Sequence, residues 1–289
     1  MLENAVYDTR EAARAVERGD IDLVFCANCD IVFNGSYESS KLKFDAKYDP
    51  SAAQSKVFGE YIDDLARYLI EDRGVRDVRV VEVGCGKGDF LRRLAKLEPG
   101  IRAIGFDTVY EGPRSDFDGR LVFEQRYLGN EDGAVQADVA IALYVLDYIV
   151  EPVPFLRRLR DIVVQAAFPR AFVECRNLVP PMQNHAFWDF PYETFAFHSQ
   201  FSLTKALRAA GLLVSLVRPV FDGQRLLAEA HPGDSAAPGP IERDASIPAL
   251  VASFRASEYE YRERWAERLR NESARGGIAL WGAAAKGVA

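Results

Sequence analysis

Apolar residues along the chain fall into two alternating kinds of run. The runs Val80-Val81-Glu82-Val83, Ile101-Arg102-Ala103-Ile104-Gly105-Phe106, Leu121-Val122-Phe123-Glu124, Asp138-Val139-Ala140-Ile141-Ala142-Leu143 and Ala171-Phe172-Val173-Glu174 are short. They are rich in β-branched and aromatic residues, as buried parallel strands are. Between them apolar residues recur at helical spacing, as in Phe90, Leu91, Leu94, Leu97 and in Phe155, Leu156, Leu159, Ile162. Upstream, Gln54 to Arg73 predicts a helix with Val57, Tyr61, Leu65, Tyr68 and Leu69 on one stripe. Downstream, a helix over Leu203 to Ala210 stops at Gly211, a C-cap signal. The runs Leu212 to Val217 and Arg225 to Ala230 then predict an antiparallel hairpin around Asp222-Gly223-Gln224. Strands alternating with helices imply an α/β fold around a parallel sheet.

Both flanks read differently. Thr9 to Arg18 predicts a short helix ended by Gly19-Asp20. The short strands Leu23-Val24-Phe25 and Ile31-Val32-Phe33 follow, on either side of Cys26-Ala27-Asn28-Cys29. The run from His231 to Pro240 has the composition of a linker. After it, about Ile247 to Asn271 reads as a long charged helix with Phe254, Tyr261, Trp265 and Leu269 on one side. The chain thus divides into an N-terminal arm over 1–50, a main α/β domain over 51–232, and a linker, helix and start of a further unit over 233–289.

Composition narrows the function. The 289 residues are 48% hydrophobic and 27% charged, with a net charge of −7. A grip on long nucleic acid would favour a basic surface, so no nucleic-acid partner is expected. No apolar run is long enough to cross a membrane and no signal peptide is evident, so no membrane partner and a cytoplasmic location are the expectation. Four cysteines at uneven spacing do not make a disulfide framework.

The chemistry concentrates where the first main strand ends. Gly84, Gly86 and Gly88 follow it at alternate positions and lead into a helix. Such a turn lets backbone approach a ligand, and the helix N-terminus offers free N–H donors. Acidic Glu82 precedes it, and Asp107 closes the next strand, about 20 residues on, where a ribose partner is expected. The stretch resembles motif I of class I S-adenosylmethionine (SAM) methyltransferases, E/D-x-G-x-G-x-G. The resemblance implies a Rossmann-like class I methyltransferase sheet with a late antiparallel hairpin. It also implies that Gly84, Gly86 and Gly88 support the methionine end of SAM. Glu82 would then position the amino group and Asp107 would accept the ribose hydroxyls. Tyr144, at the end of the fourth strand, falls at a family site position, with tyrosines at 144 and 148 where the family has histidines.

More of the chain is similar to bacterial C-methyltransferases of the sugar-modifying type. Cys26-x-x-Cys29 with Val32-Phe33-Asn34, then Phe44-Asp45-x-x-Tyr48 and Ser51, resembles their entry segment, with Asp30 in place of a glycine. Tyr110-Glu111-Gly112-Pro113 is close to their Y-x-G-P, and Glu174-Cys175-Arg176-Asn177 to E-V-P-N. Trp281-Gly282-Ala283-x-x-Lys286-Gly287 resembles the W-G-A-x-x-K-G that opens their C-terminal domain. By this resemblance the N-terminal arm is a partial zinc knuckle with Cys26 and Cys29 as half of a four-cysteine site. Both ends are expected to be cut short, the last being a truncated α/β extension. The aromatic, irregular segment Asn184 to Ser202 corresponds to the family's Y-H-E-H-x-x-Y-F-S. It implies Tyr192, Glu193 and His198 as the residues serving proton removal.

The expected activity is SAM-dependent methylation of a small molecule. A nucleotide sugar or secondary-metabolite precursor methylated at carbon is the leading acceptor. O- or N-methylation of a natural product remains open, as does a SAM-binding protein without activity. A nicotinamide-dependent oxidoreductase is disfavoured because G-x-G-x-x-G is absent.

Overall fold

The computed structural model describes residues 9–42, 55–129, 135–233 and 241–279. The motif residues Phe44, Asp45, Tyr48 and Ser51, and the 281–287 motif, lie outside the described residues. Among the described residues two sheets form. The larger contains β3 (Arg79–Val83), β4 (Arg102–Phe106), β5 (Ser115–Asp116), β6 (Leu121–Glu124), β7 (Val139–Leu143), β8 (Arg170–Arg176), β10 (Leu212–Val220) and β11 (Arg225–Pro232). Its order is β10-β11-β8-β7-β3-β4-β6-β5. The central strands β6, β4, β3, β7 and β8 are parallel, and β11 pairs antiparallel with both β8 and β10. This is the α/β sheet with a late hairpin that the sequence predicts.

Period-two alternation divides each buried strand between two cores. Val139, Ile141 and Leu143 face the layer of α2 (Lys56–Glu71) and α3 (Asp89–Leu97), with Leu65, Leu69, Leu91 and Leu94. Ala140 and Ala142 face α4 (Pro152–Val163) and α6 (Gln200–Ala209), with Leu156, Leu159, Leu203 and Leu207. All these leucines are fully or nearly fully buried, and truncating one to alanine should cost about 2–5 kcal/mol. Strand order reverses between β3 and β7, each of which leads a different way across the sheet. Such a switch point opens a crevice at the carboxyl ends of the strands.

The second sheet is small. The strands β1 (Leu23–Phe25) and β2 (Val32–Asn34) form a hairpin, and β2 also pairs with β9 (Ala196–Phe197). The N-terminal arm is thereby stitched to the aromatic segment that follows β8. A third core joins Val32 to Leu178 and Met182 around α5 (Val179–Gln183). It continues through Phe190 and Phe197 to Ile247 and Phe254 at the start of α7 (Ile247–Ser273). The first helix, α1, is shorter than predicted, Arg10–Arg14, with the Thr9 hydroxyl accepting from the Ala12 N–H. Helix α6 starts earlier than predicted because Ser199 and Ser202 form a reciprocal capping box.

Candidate functional site

From Val83 the chain turns through the three glycines into α3. Gly84, Gly86 and Gly88 have φ of 78°, 55° and 83°, a region closed to most side chains. A Cβ on Gly84 would stand 2.0 Å from Val145 Cγ2, so the bare backbone is also a packing requirement. Asp107 is tied back onto this turn. Its Oδ2 accepts from the Gly86 N–H at 2.8 Å and its Oδ1 from the Val109 N–H at 3.0 Å. Each carboxylate oxygen keeps a further lone pair for a ligand hydroxyl. Glu82 is buried in the same wall, and its Oε2 has no hydrogen-bond partner. Burial, then the charges of Asp107 and Asp89, push its carboxyl up to about 8. Three carboxylates around a glycine turn suit a ligand carrying positive charge and a diol. They would repel a pyrophosphate.

The turn forms one wall of a cavity of about 750 Å³. The cavity runs along Thr108, Val109 and Tyr127 on one side and reaches the first turn of α2 on the other. That far end is lined by rings. Phe58 lies 5.7 Å from Tyr144 and 5.6 Å from Phe221, centroid to centroid. Tyr144 adopts φ 63°, a left-handed conformation that costs a non-glycine residue and clusters at functional sites. The Arg225 guanidinium covers its ring at 4.3 Å and donates to Asp147 Oδ2 at 3.2 Å. Asp147 is buried and also accepts from the Arg176 N–H at 2.7 Å.

Behind Tyr144 lies Glu174, fully buried. The Tyr61 hydroxyl donates to its Oε2 at 2.6 Å, while Oε1 has no hydrogen-bond partner. Burial outweighs the attraction of Arg225 and the Tyr61 bond and pushes this carboxyl up to about 7. The Tyr144 hydroxyl is buried without a well-formed hydrogen bond. Burial, and next the charge of Glu174, hold it well above the usual phenol range.

The structure brings Glu82, Gly84, Gly86, Asp107, Tyr144 and Glu193 to the cavity wall. Gly88 sits one step back as the N-cap of α3. Tyr192 and His198 are not in the wall. The Tyr192 hydroxyl accepts from the Glu38 N–H at 3.0 Å, and its ring stacks on Tyr37 at 5.9 Å. His198 is buried with Nδ1 3.3 Å from Ser202 Oγ, and burial pushes its imidazole down to about 4, so it is neutral. The expected trio is therefore not assembled around one point.

The zinc expectation finds no support among the described residues. Cys26 and Cys29 share one tight turn and hydrogen bond to each other. Among the described residues no group of three or more His, Cys, Asp or Glu could hold a metal ion. Cationic side chains brace the turn instead. Arg243 clamps the buried Asp30 through Nε to Oδ2 at 2.7 Å and Nη2 to Oδ1 at 2.5 Å, and Lys205 donates to the Asn28 carbonyl at 3.0 Å. Phe58, Asp147, Phe221 and Arg225 were not legible as site residues. They come from a helix start, a turn and a hairpin far apart in sequence, with no local motif.

A family model described as a methyltransferase domain matches residues 53–216, more than half of the chain. No curated protein sequence matches it. Solved structures do. One is the Burkholderia thailandensis 1,6-didemethyltoxoflavin-N1-methyltransferase with S-adenosylhomocysteine bound. Its identity is 17% over 62% of this chain and 82% of that chain, with a TM-score of 0.49. Another is a methyltransferase of calicheamicin biosynthesis with S-adenosylhomocysteine bound: identity 20%, over 59% of this chain and 54% of that one, TM-score 0.46. A third is the N,N-8-amino-8-demethyl-D-riboflavin dimethyltransferase of Streptomyces davawensis: identity 17%, over 61% and 55%, TM-score 0.46. The match spans little more than half the length of the last two. Among the described residues no helix is long and apolar enough to cross a membrane.

Proposed function

The chain belongs to the methyltransferase-domain family, and on that premise we propose that it moves a methyl group from SAM to a small acceptor seated among Phe58, Tyr144 and Phe221. One observation carries this reading. A single cavity joins a glycine cradle lined by the carboxyl groups of Glu82, Asp89 and Asp107 to a box of aromatic rings. Glu82 would hold the ammonium of the methionine moiety, for which its open Oε2 is a ready acceptor. Asp107 would hold the ribose hydroxyls. When bound, SAM supplies an electrophilic methyl on a positively charged sulfur. The protein's own share is alignment and exclusion of water. Holding two reacting atoms about 3–3.5 Å apart is a large part of such a reaction's acceleration.

The box suits a flat or apolar acceptor. A nucleotide sugar is favoured by the resemblance of the Cys26-x-x-Cys29 arm to sugar-type C-methyltransferases, and it would bring two phosphates. Lys87 is already bound to Glu111 at 2.9 Å, Arg93 to Asp63 at 2.8 Å and Arg225 to Asp147. These three cavity cations are committed, and the aromatic end of the cavity favours O- or N-methylation of a small ring compound. Glu193, in the wall near Tyr37, would orient the acceptor.

Calorimetric titration with SAM, S-adenosylhomocysteine and NADH tests the cofactor. SAM and its product should bind, and Asp107→Ala should weaken both at least tenfold, as the loss of charge-assisted hydrogen bonds does. NADH binding without SAM binding would sink the reading. Transfer of a labelled methyl to any small acceptor separates an enzyme from a SAM-binding protein without activity.

A further inference from the structure

We propose that Tyr144 and Glu174 form a proton relay that takes the hydroxyl proton of an aromatic acceptor at the ring-lined end of the cavity, with Tyr61 holding the carboxylate in place. The proposal rests on the cofactor reading above and names the acceptor chemistry of the same site.

Three independent features of the wall point to it. Tyr144 lines the cavity, yet its hydroxyl is buried with no well-formed hydrogen bond. Glu174 lies behind it, fully buried, with one oxygen held by Tyr61 at 2.6 Å and the other open. The two groups stand near enough to shift each other's ionisation. Buried polar atoms are nearly always well paired, so two that face each other without a well-formed bond in a cavity wall call for a function. The third feature is backbone. Tyr144 is held at φ 63° at the carboxyl end of β7, where the chain spends strain to aim this one side chain.

The surroundings set the chemistry. Tyr61 reaches Glu174 from α2, Arg225 covers Tyr144 from β11, and Asp147 anchors Arg225 from the turn after β7. Arg225 is thus shared with Asp147, and Glu174 is left near the midpoint of its ionisation at neutral pH, at about 7. An ordinary carboxylate is a poor match for a phenol of pKa about 10; one raised to about 7 is better matched, as proton transfer in catalysis requires. Phe58 and Phe221, themselves edge to face at 5.6 Å, would offer the acceptor ring an aromatic wall, since offset and edge contacts between rings are favourable.

The step balances as follows. Binding of the acceptor brings its hydroxyl against the Tyr144 oxygen, which is buried in the unliganded wall; the acceptor O–H bond then breaks and its proton passes to that oxygen. Tyr144's own proton passes to the open oxygen of Glu174. The electron pair stays on the acceptor oxygen and forms the new bond to carbon, while the C–S pair returns to sulfur. One negative charge moves from Glu174 to the acceptor, and no ion is created in the buried wall.

The test uses the full chain, whose binding of S-adenosylhomocysteine is first measured by calorimetry, and two acceptor probes. Phenol keeps its hydroxyl proton at pH 8, whereas 4-nitrophenol has already lost it to solvent. Transfer of a labelled methyl from SAM is followed in single turnovers. In the wild type, transfer to phenol should rise with pH through about 7. Glu174→Gln and Tyr144→Phe should bind phenol within about threefold of wild type, lose that pH dependence, and slow transfer to phenol at least tenfold more than transfer to 4-nitrophenol. Tyr61→Phe should keep the pH dependence and move its midpoint upward, since a donor to the carboxylate is lost. Failure of phenol to bind the protein overturns the proposal. So do equal losses with the two probes, or a pH dependence that survives in Glu174→Gln or Tyr144→Phe. Failure of S-adenosylhomocysteine to bind instead overturns the cofactor reading beneath it.

Discussion

Glu82 is buried, open on one oxygen and held up to about 8 before any ligand arrives. At pH 7 it is therefore mostly protonated. A ligand ammonium placed beside it would restore the charged form, so binding must expel a proton. Calorimetry in two buffers of different ionisation enthalpy should show close to one proton released per SAM at pH 7, and none in Glu82→Gln. Affinity should rise between pH 6 and 8. The same group has a stability consequence. Glu82 and Glu174 have folded values above their unfolded ones, so their contribution is full at low pH and is lost as pH rises through about 7 and 8. His198 has the opposite sign. Its folded value of about 4 lies below the unfolded one, and its contribution is lost as pH falls through that window. His198 offsets one carboxyl below about pH 6.5, and neither carboxyl is offset above it. The melting temperature should fall most steeply from about pH 6.5 to 7, where both carboxyls act unopposed, and go on falling more gently to about 8 through Glu82 alone, a fall that Glu82→Gln should remove. At this scale the sequence was legible where function sits inside a motif, as at Glu82 and Asp107. It was partly legible for Glu174 and Tyr144, which the resemblance set at strand ends facing the site, but their meeting with each other and with Tyr61 was not visible.

Elements carry their own version of this contrast. The β3 turn was readable because it asks so much of so few residues: three glycines with positive φ, one of them under Val145. Gly84→Ala should abolish SAM binding and lower stability by about 1–3 kcal/mol, the order of a strained left-handed residue, as read by calorimetry and thermal melting. The helices were readable from spacing alone, because a leucine stripe has one way to face a sheet. The short strand β9 was not. Two residues, Ala196 and Phe197, carry no period, and their pairing with β2 is a long-range event. That pairing makes Asn34 important. It is buried, its Oδ1 accepts from the N–H groups of Asp22 and Ser36, and its Nδ2 donates to the Asp20 carbonyl. Asn34→Ala should destabilise the arm by about 1–3 kcal/mol, the cost of stranding buried backbone groups. Amide hydrogen exchange should find the loss confined to residues around 20–36, with the β3 turn still protected.

At the scale of the molecule, the question is what holds the arm to the rest. By resemblance the Cys26-x-x-Cys29 turn suggested a metal, and spacing alone gave no way to see the alternative, since Arg243 lies more than 200 residues away. Asp30 is completely buried, and its whole charge is met by the Arg243 fork, which also reaches the Ala27 carbonyl at 2.8 Å. A bidentate pair of this kind fixes direction as well as distance. Lys205 from α6 grips the same turn at Asn28, so the arm is held from two separated segments by cations. Such a clamp and a metal predict different things. If the clamp holds the arm, a strong chelator should leave the melting temperature unchanged. Arg243→Ala should cost about 3–5 kcal/mol, because it strands a buried carboxylate. Arg243→Ala combined with Asp30→Asn should recover much of that loss, since the double change removes the uncompensated charge itself. A melting temperature that dropped on chelation, with Arg243→Ala close to wild type, would return the turn to a metal ion and leave the clamp incidental.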